Sequence, residues 1–289
     1  MTAEKIDPEV IYLYDKYCHG EIDRREFMRR ASVMTIGGVS ALAMATSLLP
    51  RYAEAQTISF TDERIKANYV NYASPGGNSG EMRGYLVQPV GDGPFTPVLV
   101  IHENRGLNPH IEDVARRFAA AGFLALAPDG LAPAGGYPGN DDDGRTLQQS
   151  LDGDKMLQDM ANSAEYLYSH ELATGDLRIT GFCYGGYVTN FLAAKLGDKV
   201  SAGAPFYGRG VTMEEAANIS AELMIQAAED DRNINAAWPD YEAALNANNV
   251  NYVRHMYPGT AHGFHNNSTA RFHEEAAQLA WDRMIEFFS

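Results

Sequence analysis

Beyond residue 56, short apolar runs alternate along the chain with stretches in which apolar residues recur at helical spacing. The run "TPVLVIHE" at 96–103 is typical of a strand that is buried on both faces of a sheet. Apolar residues then recur at helical spacing through Ala119, and Gly122 ends the pattern. Further runs of the first kind are "FLALAPD", "LRITGF", "VSAGAPFY", "AELMIQAA" and "NYVRHMY". This alternation predicts one α/β domain with a mostly parallel central sheet and helices on both faces.

Two stretches depart from this alternation. "IKANYVNYAS" at 65–74 and "EMRGYLVQPV" at 81–90 alternate apolar with polar residues, and "PGGNSG" separates them, so we predict an antiparallel pair. Ala132–Arg145 is rich in glycine, proline and aspartate, and we predict a long surface loop there. A helix is expected over about Leu147–His170.

The first 55 residues have a pattern of their own. Arg24 and Arg25 stand side by side, an uncharged run follows from Ala31 to Leu49, and "AEA" ends at Ala55. Paired arginines, an apolar stretch and a small-x-small cleavage signal are typical of a twin-arginine export peptide. We therefore predict that this segment is a leader and that the twin-arginine export machinery is its partner.

The leader decides where the protein is expected to work. Cleavage after Ala55 would leave a single α/β domain, residues 56–289, in the periplasm or outside the cell. The alternative is an uncleaved leader that anchors the protein in the membrane, because the uncharged run has 19 residues and a membrane span needs about 20. Glycine, serine and threonine make the run only mildly hydrophobic, which favours export without a stable membrane anchor.

Composition narrows the classes of function. Apolar residues make up 45% of the chain, which is enough for a sizeable core. The formal net charge of −15 argues against nucleic acid as a partner, because binding to phosphate backbones needs basic patches. The histidines as a set lack the spacing of metal ligands, so no metal site is expected. The chemistry considered below needs no cofactor, and none is predicted.

The chain contains two cysteines, Cys18 and Cys183. Cleavage of the leader would remove Cys18, so no disulfide could form within the mature chain. A lone thiol is a liability in an oxidising compartment, and a chemical role for Cys183 would explain why it is there. The alternative is that Cys183 is a small buried side chain without chemistry.

Four reactive side chains fall just past the ends of predicted strands: Glu103, Cys183, Asp231 and His262. Sites in parallel sheets form at the carboxyl ends of the strands, so these side chains are expected to meet. "GFCYGG" at 181–186 has the form of the G-x-S-x-G elbow with cysteine in place of serine. The order nucleophile, acid, histidine is that of α/β-hydrolases. The glycines permit the sharp turn from strand to helix, and the helix N-terminus favours a thiolate.

Each of these residues has a structural alternative. Cys183 could lie in an ordinary strand-to-helix turn, and His262 could be a structural histidine. Asp231 could belong to a solvated acidic turn with its neighbours Glu229 and Asp230. Three independent residues in the right order, each at a strand end, favour a catalytic site over a coincidence.

On the motifs "GFCYGG", "EDDRNIN" and "GTAHGF", the chain resembles the dienelactone hydrolase (carboxymethylenebutenolidase-like) family over roughly Ile65 to Phe288. The resemblance implies the α/β-hydrolase fold. It also implies a Cys–His–Asp triad, whose members here are Cys183, His262 and Asp231, and a thioester intermediate.

The same resemblance implies roles for three further residues. Glu103, in "VIHENRG", would hold the resting thiol and take its proton when substrate enters. Its carboxylate alone would disfavour a thiolate nearby, and the family mechanism accounts for this by letting substrate displace it. The backbone N–H groups of Tyr184 and Asn104 would form the oxyanion hole.

The sequence departs from the family where the substrate is held. The best-known members bind a substrate carboxylate with arginines, one of them four positions after the triad histidine, and that position here is Asn266. The candidates to replace it are Arg105 and Arg145, followed by Arg209 and Arg271. The expected partner is therefore a small-molecule ester or lactone whose identity the sequence leaves open.

Two other functions compete with ester or lactone hydrolysis of the dienelactone type. One is a general carboxylesterase or thioesterase on the same fold. The other is a binding or redox-sensing protein without catalysis, in which Cys183 acts as a switch. The complete set of nucleophile, histidine and acid favours catalysis, because a sensor needs a reactive thiol but no Asp–His pair.

Overall fold

The computed structural model of the protein describes residues 8–18, 21–36, 39–40 and 51–289. Its main sheet has eight strands: β1 (Ile65–Ser74), β2 (Gly80–Pro89), β3 (Pro97–Ile101), β4 (Leu124–Pro128), β5 (Leu177–Phe182), β6 (Val200–Phe206), β7 (Glu222–Ala228) and β8 (Tyr252–Tyr257). They lie in the order β8-β7-β6-β5-β3-β4-β2-β1. The strands from β8 to β4 are parallel, β2 runs antiparallel to β4, and β1 runs antiparallel to β2. The mostly parallel sheet and its antiparallel pair are confirmed.

The described helices are α1 (Pro8–Cys18), α2 (Arg24–Val33), α3 (Pro109–Ala120), α4 (Asp141–Ser150), α5 (Gly153–Tyr168), α6 (Tyr184–Leu196), α7 (Met213–Ala216), α8 (Arg232–Ala247) and α9 (Glu274–Phe288). A two-residue antiparallel ladder also joins Thr35–Ile36 to Val39–Ser40. Helices α5, α6 and α8 bury their apolar residues on one face of the sheet, and α3 and α9 bury theirs on the other. The two-sided arrangement predicted from the alternation is therefore present.

The predicted loop at Ala132–Arg145 is wrong at its end, because Asp141–Arg145 form the start of α4. The Asn140 side chain accepts a hydrogen bond from the backbone N–H of Asp143 and caps the helix. Three aspartates in the first turn are stabilised by the positive end of the helix dipole. The features that we interpreted as a loop are those of a helix N-terminus.

The helix predicted over Leu147–His170 is two helices, α4 and α5, which are separated at Leu151 and Asp152. The Asp152 carboxylate accepts hydrogen bonds from the backbone N–H groups of Asp154 and Lys155, and so starts a new helix. This break places α4 near the carboxyl edge of the sheet, where it contributes to the site described below.

The N-terminal segment contains α1 and α2, which pack on one another around a small apolar cluster of their own. Asp23 caps α2 by accepting from the backbone N–H of Glu26. Residues 37–38 and 41–50, which include most of the predicted uncharged signal run, lie outside the described residues. Within the described part of the chain, no helix is long and apolar enough to span a membrane. The leader remains a prediction.

Candidate active site

Cys183 lies at the turn between β5 and α6, in a conformation that few residues other than glycine adopt. Its φ is 56° and its ψ is −110°. Such a conformation costs free energy and persists only where the surroundings fix it. Here the backbone N–H of Cys183 donates to the carbonyl of Phe206 at 3.1 Å, and its carbonyl accepts from Gly186 and Tyr187. The turn therefore holds the thiol at the tip of a strained elbow, where it is partly exposed.

The glycines around Cys183 let three chain segments approach one another closely. A Cβ atom on Gly181 would lie 2.2 Å from the carbonyl oxygen of Gly185. One on Gly185 would lie 2.3 Å from the carbonyl oxygen of Ile101, at the end of β3. The neighbouring atoms are backbone and cannot rotate away, so only glycine fits at either position.

His262 lies in the loop after β8, and Asp231 lies directly after β7 as the N-cap of α8. Both side chains are buried, and His262 Nδ1 is 2.6 Å from Asp231 Oδ2. Cys183 is close enough to act on the pKa of the His262 imidazole through both charge and hydrogen bonding. The structure thus brings together the three side chains that the sequence placed at separate strand ends.

The environment of His262 favours the protonated imidazole. Burial alone would lower the pKa of His262. The Asp231 carboxylate and Cys183 act in the opposite direction, through both charge and hydrogen bonds, and hold the pKa well above its usual 6.5. The site can therefore stabilise an imidazolium between a carboxylate and a sulfur atom, as proton transfer from the thiol requires.

The acidic neighbours of Asp231 have other partners. Glu229 and Asp230 are exposed, and Glu229 Oε2 accepts from the backbone N–H of Gly259. The backbone N–H of Asp230 donates to the carbonyl of Thr260. Of the three carboxylates, Asp231 is the one that faces His262.

Glu103 is buried at the carboxyl end of β3, where it contacts two polar side chains. Asn266 Nδ2 donates to Glu103 Oε2 at 3.3 Å, and Arg105 Nε lies 3.7 Å from the same oxygen. Asn266, which stands where the sequence resemblance led us to look for an arginine, is therefore a partner of Glu103.

Arg105 is buried among the protein's own carboxylates. Its Nη1 donates to Asp141 Oδ2 at 2.8 Å, in addition to the contact with Glu103. Asp141 also accepts from the hydroxyl groups of Tyr52 and Tyr137. Both carboxylates hold the guanidinium in place. Arg105 therefore connects the segment that carries Glu103 to the start of α4.

The other candidate arginines lie in different surroundings. Arg145, in α4, is buried with its Cζ 4.3 Å from the centre of the Tyr17 ring. Its Nη1 lies 3.8 Å from Asp142 Oδ1, the carboxylate that also accepts from the Tyr17 hydroxyl. Arg271 is buried with its Cζ 4.7 Å from the centre of the Tyr14 ring, whereas Arg209 is exposed.

The two predicted oxyanion donors lie at one edge of the sheet. Tyr184 is the first residue of α6, and the first amides of a helix have no acceptor within it. Asn104 follows Glu103 at the end of β3, and β3 pairs with β5, which leads into Cys183. Both N–H groups are therefore close in the fold to the nucleophile.

Sequence reasoning missed Tyr207, which follows β6. Its φ is 38°, its side chain is buried, and its ring centre is 4.8 Å from that of His262. Burial raises the pKa of Tyr207 well above its usual value, so the hydroxyl stays protonated. The position at a strand end in "PFYGRG" was the signal that could have found it.

His102 is a second residue that sequence reasoning assigned no role at the site. It is buried, with Nε2 accepting from the backbone N–H of Gly130 and Nδ1 2.5 Å from the carbonyl oxygen of Glu103. Burial lowers the pKa of His102, so the ring is neutral and Nδ1 donates. His102 therefore fixes the backbone that carries Glu103 and Asn104.

Residues 82–289 match the family model described as the dienelactone hydrolase family. The chain belongs to the dienelactone hydrolase family. It is therefore a hydrolase with the α/β-hydrolase fold, which confirms the resemblance seen in its motifs. Residues 1–36, which include α1 and α2, match a separate family model described as YqhI-like.

Individual relatives agree with this assignment. An Escherichia coli (strain K12) protein named "Putative hydrolase fragment YghX" is 60% identical over 115 residues, which are 39% of this chain and 97% of that protein. A Synechocystis sp. protein named "Putative carboxymethylenebutenolidase" is 31% identical over 226 residues, 72% of this chain and 91% of that protein. Among solved structures, a "Putative Dienelactone Hydrolase" from Klebsiella pneumoniae subsp. pneumoniae has a TM-score of 0.64 at 27% identity, covering 76% of this chain and 98% of that chain.

Proposed function

We propose that this dienelactone hydrolase family member cleaves carboxylic esters or lactones with Cys183 as nucleophile, His262 as general base and Asp231 as the carboxylate that orients the histidine. The observation that carries the proposal is the chain of contacts from thiol to imidazole to carboxylate, with the thiol on a strained and partly exposed elbow. A nucleophile, a base and a third group that orients the base are the signature of covalent catalysis.

The reaction then proceeds in two halves. Cys183 attacks the acyl carbon as its proton passes to His262, and the oxyanion that forms accepts hydrogen bonds from the amides of Tyr184 and Asn104. His262 returns the proton to the leaving alkoxide, which departs as an alcohol or, from a lactone, remains attached to the acyl group. Water activated by His262 hydrolyses the thioester and restores the thiol. In this scheme Glu103 holds the resting thiol before substrate enters, and His262 rather than Glu103 accepts the thiol proton.

The substrate of this proposal is a small molecule, and the arginines near the site bear on its charge. A relative carries the name carboxymethylenebutenolidase, which suggests a lactone that bears a carboxylate. Arg145 is the stronger candidate to bind such a carboxylate, because its own carboxylate contact is long, with Nη1 3.8 Å from Asp142 Oδ1. Arg105 is a weaker candidate, since Glu103 and Asp141 already hold it.

A general carboxylesterase or thioesterase is the second candidate. The observation that favours it is Asn266, an uncharged residue where the best-known members carry an arginine, and its amide donates to Glu103. A site that lacks this cation has less need of an anionic substrate. A protein that uses Cys183 only as a redox switch is disfavoured, because the Asp231–His262 pair would then have no task.

The decisive experiment measures turnover of p-nitrophenyl acetate and of a dienelactone by the purified protein and by Cys183→Ala. Rapid quenching with an activated ester, followed by intact-protein mass spectrometry, should show an acyl adduct on Cys183. The alanine variant should lose both adduct and turnover. Cys183→Ser should be much weaker than the parent, because a hydroxyl needs stronger base assistance than a thiol. Full activity in Cys183→Ala would refute the proposal.

We also propose that the protein is exported by the twin-arginine route to the periplasm or beyond the cell. The paired Arg24 and Arg25, the uncharged run and the "AEA" signal support this proposal. Cleavage after Ala55 would remove α1, α2 and Tyr52, which donates to Asp141 in the network around Arg105. Export would therefore change the surroundings of the site as well as the location of the protein.

A further inference from the structure

His265 lies in the loop after β8, and its ring is buried in an aromatic part of the core. It stacks on Phe182, the residue before Cys183, with ring centres 5.0 Å apart. Phe206, at the end of β6, is also 5.0 Å away, and Trp281 of α9 lies 6.3 Å away. The side chain of His265 is only 1% exposed. The ring therefore connects the loop after β8 to the core at the end of β5.

The same loop carries two residues of the candidate site, His262 and Asn266, and it is tightly folded. The backbone N–H of Asn266 donates to the carbonyl of Gly263 at 3.0 Å, across His265. The backbone N–H of Phe264 donates to the carbonyl of the residue before His262 at 3.1 Å. Because these two turns overlap, a displacement of the His265 ring would move both site residues.

An apolar residue would be less costly than histidine at position 265. Neither ring nitrogen of His265 has a hydrogen-bond partner in the part of the chain that the structure describes. Burial of an unpaired polar group costs free energy that a phenylalanine ring would not incur. Such groups are rare in folded proteins and call for an explanation. The property that histidine has and phenylalanine lacks is the gain of a charge near neutral pH.

A second buried histidine, His110 of α3, faces His265 with ring centres 6.1 Å apart. His110 Nδ1 lies 3.1 Å from Asn267 Oδ1, whereas its Nε2 has no hydrogen-bond partner among the described residues. The two imidazoles share one apolar surrounding, so a proton on either ring opposes a proton on the other.

Burial keeps both rings neutral. It lowers the pKa of His110, and it lowers the pKa of His265 well below the usual 6.5. The charge of Arg117 acts in the same direction on both histidines, whereas Glu103 and Asp113 oppose it at His110. The charged groups that act on the pair, directly or through Arg117, lie on α3, on α9 and at the end of β3: Arg117, Asp113, Asp282 and Glu103.

We propose that His265 is a positioning residue for His262 and that the His110–His265 pair makes this positioning sensitive to acid, because neutral rings hold the loop in the core and protonation releases it. This inference rests on the proposed role of His262 as general base. A released His265 takes up a proton below about pH 6.5, whereas the buried ring does not, so acid favours release. Between about pH 8 and about pH 5, one histidine shifts this equilibrium by up to about thirtyfold.

The test uses three variants of the full chain. His265→Phe keeps an aromatic ring in the core but cannot be protonated, whereas His265→Ala removes the ring. The matched control is His255→Phe, the same change at a half-buried histidine on β8, outside the pair. Circular dichroism at each pH shows whether the variants are folded.

Two readouts separate the loop from the chemistry. The first is kcat/KM for p-nitrophenyl acetate, expressed as the ratio of variant to parent at each pH, so that the titration of His262 itself cancels. The second needs no turnover and is the fluorescence of Trp281, which stacks on His265. The chain has two tryptophans, so a Trp238→Phe background leaves Trp281 as the reporter.

We expect the ratio for His265→Phe to lie near one at about pH 8 and to rise by about tenfold at about pH 5. The fluorescence of the parent should change between these pH values, and His265→Phe should remove most of the change. His265→Ala should lower turnover at both pH values, because the cavity that it leaves loosens the loop. His255→Phe should follow the parent in both readouts.

The same pH dependence of both readouts in the parent and in His265→Phe would overturn the proposal. A fluorescence change that His265→Phe removes, without ester turnover by any of the proteins, would support acid release of the loop and refute the proposed function instead. If His265→Phe does not fold, an NMR titration of His265 in the parent decides. A midpoint below about pH 6.5 would support the proposal, and a midpoint at or above this value would overturn it.

Discussion

At the residue scale, Asp231 differs from its acidic neighbours in burial and in partner. Asp231 is buried against His262, whereas Asp230 is exposed and engages Thr260 through its backbone. An asparagine at 231 keeps the size of the side chain but loses the charge that stabilises the imidazolium. We expect Asp231→Asn to lower kcat by on the order of a hundredfold or more while the protein stays folded.

The matched control for this prediction is Asp230→Asn, which removes the same charge one residue away. It should retain near-parent turnover in a p-nitrophenyl acetate assay, with circular dichroism showing that both variants are folded. A larger loss in Asp230→Asn than in Asp231→Asn would show that the carboxylate of the triad has been assigned to the wrong neighbour.

The raised pKa of His262 leads to a second prediction at this scale. Burial lowers this pKa, but Asp231 and Cys183 together raise it well above 6.5. At pH values between about 6.5 and the folded-state pKa, His262 is therefore protonated in the folded protein and neutral in the unfolded chain. Folding is accompanied by proton uptake in this range. The stabilisation is complete below about pH 6.5 and is lost as pH rises through the folded-state pKa.

Urea unfolding at about pH 6 and about pH 9 measures this effect. The free energy of unfolding of the parent should exceed that of Asp231→Asn by more at the lower pH than at the higher. An NMR titration of His262 should also show a lower pKa in the variant. Equal differences at both pH values would mean that His262 gains no proton affinity on folding.

At the element scale, the turn from β5 into α6 depends on residues without side chains. A Cβ atom on Gly185 would lie 2.3 Å from the carbonyl oxygen of Ile101, and neither backbone can move without shifting β3 or α6. We expect Gly185→Ala to lower the free energy of unfolding by about 1–3 kcal/mol or more. Gly153, at the start of α5, has no atom within 4 Å of such a Cβ.

Gly153→Ala is therefore the matched control for Gly185→Ala. It should be neutral or raise the free energy of unfolding by up to about 1 kcal/mol, since alanine restricts the unfolded chain. Urea unfolding of both variants makes the comparison. Similar stabilities in the two variants would show that the elbow tolerates a side chain.

The elements that the sequence predicted well are those whose pattern is set by burial in the sheet. All five residues of β3 are buried, so its apolar run is unambiguous. The start of α4 was missed because Asp141–Asp143 resemble a loop until the capping by Asn140 is seen. Helix α1 was overlooked although Val10, Leu13, Tyr14 and Tyr17 lie at helical spacing.

The part of the candidate site that could be predicted from the sequence is the part that lies at strand ends. Cys183, Asp231 and His262 each follow a strand of the parallel sheet, so chain order and topology place them at one edge. Contacts between loops were not predictable in this way. Arg105 pairs with Asp141, 36 residues away, and Glu103 pairs with Asn266, 163 residues away, because loop conformation decides which side chains meet.

At the scale of the whole molecule, a chain of net charge −15 buries three arginines outside its strands. Arg145 and Arg271 are covered by Tyr17 and Tyr14 of α1, and Arg105 is neutralised by carboxylates. Cleavage after Ala55, as the proposed export would bring about, would remove these tyrosines and uncover both arginines. The precursor and the cleaved protein would then differ in the exposure of two buried cations.

Export itself can be tested through Arg24 and Arg25. Replacing both with lysine keeps their charge, including that of the ion pair between Arg24 and Asp142, so this contact between α2 and α4 should persist. The twin-arginine signal requires the arginines themselves, and we expect the double variant to stay unprocessed in the cytoplasm. Arg29→Lys/Arg30→Lys is the matched control, because these arginines lie on the same helix and bind Glu26. Cell fractionation shows where each variant accumulates, and N-terminal sequencing shows whether the leader has been cleaved. Normal export of the variant with lysine at 24 and 25 would refute the twin-arginine route.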